Sequence, residues 1–335
     1  MLNVVNLLFC WKFVNKKAAP GIDKTTAQEY EKDINTHVKD LVERLKRKGY
    51  RAKLVLRKWI PKGVDKFRPL GLPAIEDKLL QTCVAKILEA IFDVAFYSCS
   101  FGYRRNHSPR EAALKLKEML QRGRYRYIVE ADIKGFFDNL DHDIMLKMLE
   151  HRINDNAFVR LIKKWLKAGI LETDGQVVHP VTGTPQGGIV SPWLANIYLH
   201  YALDMWFEEV VKKNCRGMVY LIRYADDFVC LFEHQSDANR FYATLPKRLE
   251  KLNLELSMEK TNIIAFSQFP ETEGSSFEFL GFEYRWGKSR KGKKIVKLRT
   301  STKKYRQSLT RFTEWIRTNR HKRVRRLMKT VNSKL

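Results

Sequence analysis

The segment RYADDFV, residues 223–229, places two adjacent aspartates, Asp226 and Asp227, between two apolar runs. The surrounding residues 218–233 predict two strands joined by a tight acidic turn. A carboxylate beside a buried sheet costs free energy unless a cation or hydrogen-bond donors compensate it. Asp-Asp is also ordinary turn chemistry, so this motif by itself leaves both a structural and a functional interpretation open. In either case, the fold must accommodate an antiparallel hairpin with two carboxylates at its tip.

The chain is long enough for a sizeable core and two or more subdomains, since 44% of its 335 residues are apolar. No stretch approaches 18 consecutive apolar residues, and the first 11 residues carry no signal-peptide features. The five cysteines show neither zinc-ligand spacing nor a disulfide framework. These features predict no membrane span and a reducing compartment, the cytoplasm.

The formal net charge of +26 predicts a polyanionic partner, most often nucleic acid. Residues 288–335 hold 19 Lys and Arg against one acid, Glu314, so +18 of the charge lies there. Within this segment, Phe312, Trp315 and Ile316 recur at helical spacing. The pattern favours basic helices that grip a phosphate backbone, with a solvated basic tail as the alternative.

The remaining pattern alternates short strands with helices, and this predicts an α+β fold whose sheet has helices on one face. Ser108-Pro109-Arg110-Glu111 is a capping box that opens a helix. Strands are predicted in residues 53–73, 127–132, 218–233 and 276–286, and helices in residues 37–48, 77–96, 141–151 and 156–168.

A third carboxylate, Asp132, ends the predicted strand of residues 127–132. By itself it could cap a helix. If its strand lies beside the acidic hairpin, however, Asp132 and Asp226 converge at one sheet edge, with Asp227 close by. Carboxylates this close would repel one another, and a pair of divalent cations such as Mg²⁺ would resolve the conflict. Two such ions in a basic protein predict nucleotidyl transfer on nucleic acid.

At these residues the sequence resembles group II intron-encoded reverse transcriptases, and the resemblance covers nearly the whole chain in order. The motifs that carry it are KAAPGID (17–23), WIPKGVDKFRPLGLPAIEDKLLQ (59–81), SFGYRRNHSPREAAL (100–114), YIVEADIKGFFDNLDH (127–142), GTPQGGIVSPWLANIYLHYALD (183–204), YADD (224–227), LELSMEKT (254–261) and FLGFEY (279–284). The Ser-Pro of QGGIVSP favours the group II type over diversity-generating retroelements. CRISPR-associated and other domesticated reverse transcriptases share these motifs, so that distinction stays open.

The resemblance implies a right-hand polymerase fold with an antiparallel palm sheet backed by helices. The implied division is fingers 1–97, palm 98–138, a return to the fingers at 139–182, palm 183–287, and a basic helical thumb 288–335. Members of the family continue well past residues like RRLMKTVNSKL, so we expect this chain to end within the thumb.

The resemblance also implies site residues. Asp132, Asp226 and Asp227 would act in catalysis and, with the backbone carbonyl of Ile133, hold two Mg²⁺ ions, for which Mn²⁺ could substitute. The implied nucleotide contacts are Lys62, Arg68, Pro185, Gln186, Gly187 and Lys260, with Phe137 or its neighbour Phe136 as the gate against a ribose 2′-OH. The implied nucleic-acid contacts in the thumb are Lys303, Lys304, Arg311, Arg317 and Arg325. Solvated charges or core aromatics are the alternatives at several of these positions.

The expected activity is RNA-directed DNA synthesis, with an RNA template, a DNA or RNA primer and dNTPs as partners, and intron RNA as a further partner. A non-enzymatic intron maturase is the main alternative, because a basic surface serves both functions. A metal-dependent nuclease would explain the carboxylates but not the glycine-rich loop.

Overall fold

The computed structural model describes residues 1–63, 66–184, 187–267 and 275–333. Its helices are α1 (Val4–Trp11), α2 (Ala27–Lys32), α3 (Ile34–Lys46), α4 (Ile75–Phe92), α5 (Pro109–Arg122), α6 (His142–Glu150), α7 (Asn156–Leu166), α8 (Ser191–Leu199), α9 (Lys212–Asn214), α10 (Gln235–Glu250), α11 (Thr302–Asn319) and α12 (Val324–Asn332). Its strands are β1 (Val55–Gly63), β2 (Lys66–Leu72), β3 (Tyr127–Ala131), β4 (Ile170–Leu171), β5 (Val177–Val178), β6 (Val219–Tyr224), β7 (Asp227–Phe232), β8 (Asn262–Ala265), β9 (Ser276–Phe279), β10 (Phe282–Lys288) and β11 (Lys294–Thr300). Between α8 and α9 the helix contains two π-helical turns, His200–Asp204 and Phe207–Val211.

The central sheet is antiparallel, in the order β6-β7-β3-β8. The predicted acidic hairpin is confirmed as β6 and β7, which pair from Val219↔Phe232 to Tyr224↔Asp227. β3 lies beside β7, with Ala131 opposite Phe228. The strand that precedes Asp132 therefore lies beside the acidic hairpin, as the predicted convergence of the three carboxylates requires.

Both faces of this sheet are covered. On one face, Val129 and Cys230 join the larger core with α8 and α10, while on the other Ile128 and Val229 join a second core. That second core lies under α5 and the sheet β11-β10-β9. Strands that are buried on both faces have continuous apolar sequences, and this is why the hairpin could be predicted from the sequence.

The β1–β2 hairpin belongs to a second sheet, in the order β2-β1-β4-β5. β1 pairs with β2 in antiparallel fashion, and Ile60 lies opposite Arg68. Its other edge pairs in parallel with β4, where Val55 lies opposite Ile170. This pairing brings residues 170–178 back to the amino-terminal part of the chain.

The basic carboxyl-terminal segment differs in part from the expectation of a wholly helical 288–335. Residues 294–300 form β11, which pairs with β10 along its whole length, and only from Thr302 onward is the segment helical. Val296 is fully buried in the second core. Its burial therefore favours a strand here, although lysines, which are depleted in strands, surround it. The prediction of helices is confirmed for α11 and α12, in which Phe312 stacks on Trp315 with ring centroids 6.0 Å apart.

Candidate active site

The acidic turn is a two-residue connection, Ala225-Asp226, closed by the pairing of Tyr224 with Asp227. Ala225 has a φ of +56°, the left-handed conformation that a tight hairpin requires at its first central position. Asp226 is half-buried and Asp227 is exposed. The turn therefore presents its two carboxylates differently, with Asp226 closer to the protein body.

Asp132 follows β3 directly. Because Ala131 lies opposite Phe228, the next position in the antiparallel register sets Asp132 across from Asp227. The Ser257 amide donates to the Asp132 carbonyl at 2.8 Å, and Ile133 forms a bridge to Leu256, so residues 255–257 brace this end. The sheet thus brings the three predicted aspartates to one edge, with Ile133 beside them.

Lys260 also lies at this edge, where its Nζ donates to Asp132 Oδ2 at 2.5 Å. The hydrogen bond and the charge of Asp132 raise the pKa of Lys260, so the amine stays protonated. The sequence indicated Lys260 only as a nucleotide contact, whereas here it contacts a carboxylate. In this arrangement the ammonium supplies part of the compensation that the carboxylates need.

The acidic edge acts electrostatically on its neighbours. Burial, followed by the charges of Asp227, Glu278 and Asp132, raises the pKa of Glu130 to about 6. Burial, followed by the charge of Asp226, raises the pKa of Tyr103. The nearby carboxylates thus add to the effect of burial on both groups.

Within the described ranges, no group of three or more His, Cys, Asp or Glu side chains is arranged to hold a metal ion. The chemistry of the donors nevertheless fits a hard cation, since Mg²⁺ prefers carboxylate oxygens and completes its shell with water and phosphate. The ammonium of Lys260 lies on one of these oxygens. The carboxylate oxygens of Asp132, Asp226 and Asp227 are thus of the donor type that Mg²⁺ prefers.

A cavity of about 510 Å³ lies between the β1–β2 hairpin and residues 187–192. Its lining residues include Ile60, Arg68, Tyr103, Phe137, Gly187 and Ser191. Three of the predicted nucleotide contacts are thus brought together, namely Arg68, Phe137 and Gly187. Pro185 and Gln186 lie outside the described residues, and so does the side chain of Lys62.

The two candidate gate residues separate clearly. Phe137 lines the cavity and is 7% exposed, whereas Phe136 is 2% exposed and packs edge-on against Tyr198. Phe136 does not line the cavity, whereas Phe137 does, and both side chains belong to the larger core. The difference arises because Phe136–Asp138 form a 3₁₀ turn that points adjacent side chains in different directions.

Gly187 has a φ of +111°, and a Cβ there would come within 2.5 Å of the Gly71 carbonyl oxygen. The requirement for glycine therefore comes from close packing of the loop on β2. Tyr103 is a cavity residue that sequence reasoning missed. The signal was present, since an aromatic follows a glycine inside the motif SFGYRR.

The predicted thumb contacts are exposed on the two basic helices. Lys303, Lys304, Arg311 and Arg317 lie on α11, and Arg325 lies on α12. None of the five lines the cavity. They form a separate basic surface, available to a phosphate backbone.

The family model described as reverse transcriptase (RNA-dependent DNA polymerase) matches residues 60–284, about two thirds of the chain. The chain belongs to this family, and it is of the group II intron type. It is 41% identical over 190 residues to the group II intron-encoded protein LtrA of Lactococcus lactis subsp. cremoris, covering 56% of this chain and 31% of LtrA. It is 30% identical over 274 residues to protein YkfC of Escherichia coli (strain K12), covering 73% and 72%. It is also 24% identical over 235 residues to nuclear intron maturase 3, mitochondrial, of Arabidopsis thaliana, covering 63% and 31%.

Two solved structures show the fold. Telomerase from Candida albicans, in complex with a fragment of telomeric RNA, superposes with a TM-score of 0.53 at 14% identity, over 77% of this chain and 48% of that one. Apo telomerase from Candida tropicalis, truncated from its carboxyl-terminal domain, gives 0.55 at 14% identity, over 75% and 59%. The predicted α+β right-hand polymerase fold is confirmed. The chain spans about a third of the length of LtrA, and none of its described helices is long and apolar enough to cross a membrane.

Proposed function

We propose that this chain is an RNA-directed DNA polymerase that extends a DNA or RNA primer with dNTPs on an RNA template. The observation that carries the proposal is the register of the central sheet, which sets Asp132 across from Asp227. The chain also has a cavity of about 510 Å³, and its lining includes Arg68, Phe137 and Gly187, three of the predicted nucleotide contacts. Reverse transcriptases generally use divalent metal ions, and the acidic edge has the oxygen donors that such ions prefer.

Each residue has a role in this proposal. Asp132, Asp226 and Asp227, with the Ile133 carbonyl, hold two Mg²⁺ ions, for which Mn²⁺ can substitute. When bound, such ions favour attack by the primer hydroxyl and stabilise the leaving oxygen. Arg68 offers a planar fork of donors to the triphosphate, and Phe137 supports the sugar and restricts a 2′-OH. Lys260 donates to Asp132 through its ammonium, and the same positive charge would neutralise the departing pyrophosphate.

We assign the fingers to residues 1–97 and 139–182, the palm to 98–138 and 183–287, and the thumb to 288–335. The exposed cations of α11 and α12 contact the phosphates of the template–primer duplex, whose A-form shape is read through its backbone. In this proposal the chain acts on a group II intron, with intron RNA as a partner, in the bacterial cytoplasm. The names of the relatives support the role in a group II intron.

The test is Asp226→Asn, measured by Mg²⁺-dependent dNTP incorporation on a primed RNA. We expect loss of incorporation with RNA binding retained, because the substitution removes one charge at the tip and leaves the basic surface intact. Glu278→Gln is the matched control, since it removes an exposed acid on β9. Full activity of Asp226→Asn would sink the assignment, and so would absence of incorporation by the unmodified chain.

An intron maturase without polymerase activity is the second candidate, favoured by the likeness to a protein named as an intron maturase. Splicing of a group II intron RNA in the presence of the chain separates the two. A maturase without polymerase activity would support splicing and incorporate no dNTP, whereas the polymerase loses incorporation on Asp226→Asn.

A further inference from the structure

Arg223 is the arginine of RYADD, and its side chain is completely buried. Within the described part of the chain, every N–H of its guanidinium has an acceptor. Nε and Nη2 form a bidentate pair with Asp204 at 2.7 and 2.5 Å, Nη2 also donates to Ser100 Oγ at 2.7 Å, and Nη1 donates to Asn196 Oδ1 and the Ala225 carbonyl at 3.0 Å each. An arginine this fully bonded is held in a single orientation.

The acceptors come from separate elements. Asp204 belongs to the first π-helical turn, which follows α8, and Asn196 lies within α8 itself. π-helical turns are rare and frequently lie at functional sites. Here, Arg248 of α10 donates to the carbonyls of Tyr201 and Ala202 in the same turn, at 2.9 and 3.0 Å. The turn that presents Asp204 is thus itself stabilised by a second arginine.

The other end of the network lies on the acidic turn. Arg223 binds the carbonyl of Ala225, and this carbonyl belongs to the same planar peptide as the amide nitrogen of Asp226. Holding that oxygen therefore sets the orientation of the Asp226 backbone. Ala225 has positive φ, a conformation that L-residues keep only when the surroundings impose it.

Gly102 holds the opposite side of the turn. A Cβ at Gly102 would lie 2.2 Å from the Ala225 amide nitrogen, and the Gly102 carbonyl accepts from Asn196 Nδ2 at 2.6 Å. The turn is thus enclosed between Arg223 and the backbone of residues 100–102, and Asn196 links the two.

We infer that Arg223, with Asp204 as its anchor, is a positioning residue that sets the geometry of the Asp226–Asp227 turn for divalent-cation binding. The inference rests on the proposed function of these aspartates. A purely structural ion pair would contribute to the stability of the folded chain and leave the properties of the folded fraction unchanged. A positioning role instead predicts altered cation binding and turnover in protein that is fully folded.

The decisive variant is Arg223→Lys, which keeps the charge opposite Asp204 but cannot reach Ala225, Asn196 and Ser100 at the same time. At a temperature where circular dichroism shows it fully folded, we expect kcat for dNTP incorporation to fall about 10- to 100-fold, because misplacement by about 1 Å has effects of that size. The dNTP KM should change less than about twofold, since Arg68 and Phe137 are untouched. The dissociation constant for Mn²⁺ alone, followed by electron paramagnetic resonance, should rise at least about fivefold.

Gly102→Ala perturbs the same turn sterically and leaves the Arg223–Asp204 pair intact. If Arg223→Lys does not fold, kcat and Mn²⁺ affinity of Gly102→Ala test whether the geometry of the turn controls cation binding. The control is Tyr284→Phe, which removes a buried hydrogen bond to the Ala113 carbonyl from the second core. It should lower the melting temperature and leave both kcat and Mn²⁺ affinity unchanged.

Folded Arg223→Lys or Gly102→Ala protein with the original kcat and Mn²⁺ affinity overturns the inference. Absence of incorporation by the unmodified chain overturns the proposed function instead. In that case, the Mn²⁺ dissociation constants of the unmodified chain and the variants still decide whether Arg223 positions the turn.

Discussion

Tyr50 joins α4 and α7 through one buried hydroxyl. The hydroxyl donates to Asp77 Oδ1 and accepts from Trp165 Nε1, the latter at 2.8 Å. Asp77 also accepts from the Lys53 amide at 3.1 Å. Burial raises the pKa of Asp77 to about 6, against the hydrogen bond from Tyr50, which lowers it. Tyr50→Phe removes this hydroxyl and keeps the ring.

The expected loss of folding stability in Tyr50→Phe comes from the two groups that lose a hydrogen-bond partner. Trp165 Nε1–H loses its acceptor and Asp77 loses one donor, and each loss costs about 1–3 kcal/mol because both groups are buried. We expect the free energy of unfolding to fall by about 3 kcal/mol at pH 8. At roughly 2 °C per kcal/mol for a chain of this size, the melting temperature should fall by about 6 °C.

The cost should also depend on pH. Without the bond from Tyr50, the pKa of Asp77 in the folded state rises further, while its unfolded value is unchanged. The variant therefore loses stability, relative to the original chain, as pH increases through about 6. At pH 5, Asp77 is largely protonated in both folded proteins, so the difference should be smaller.

Thermal melts at pH 5 and pH 8 measure both effects. Tyr284→Phe is the matched control, because its hydroxyl donates to a backbone carbonyl that does not titrate, and its cost of about 1 kcal/mol should be the same at both pH values. Equal shifts for Tyr50→Phe and Tyr284→Phe at both pH values would refute the reasoning.

Three further predictions concern the candidate site and the thumb. Lys260→Ala removes the ammonium that competes with a cation for Asp132. In the absence of nucleotide, Mn²⁺ should therefore bind up to about fivefold more tightly, as measured by electron paramagnetic resonance. Weaker Mn²⁺ binding by the variant contradicts this prediction. Phe137→Val should raise the incorporation of ribonucleotides relative to deoxynucleotides at least about tenfold. The same change at Phe136 should mainly lower the melting temperature, and equal selectivity in both variants argues against Phe137 as the gate. Replacing Lys303 and Arg311 with Gln should reduce the slope of log affinity against log salt for a hybrid duplex by about 2 in fluorescence anisotropy, and an unchanged slope excludes these contacts.

Local patterns explain what could be predicted about the fold. The hairpin at Asp226, the strand before Asp132 and the capping box at Ser108 depend on neighbours within a few residues, so the sequence displays them directly. β11 was missed because four lysines and arginines in residues 293–299 obscure its apolar positions, and its partner β10 supplies the burial of Val296. The pairing of β1 with β4 joins positions 115 residues apart, Val55 and Ile170, which periodicity does not reveal.

By itself the sequence determined which residue types the acidic site contains, since Asp132, Asp226 and Asp227 stand at predicted strand ends. Only the tertiary structure decided their surroundings. It set Asp132 across from Asp227, brought Lys260 to Asp132, and placed Phe137 but not Phe136 in the lining of the cavity. It also showed that Arg223, the charged residue just before the acidic turn, is buried with acceptors from several distant segments. The physical reason is that burial and hydrogen bonding of a charge depend on partners far away in the chain, whereas strand and turn formation depend on near neighbours.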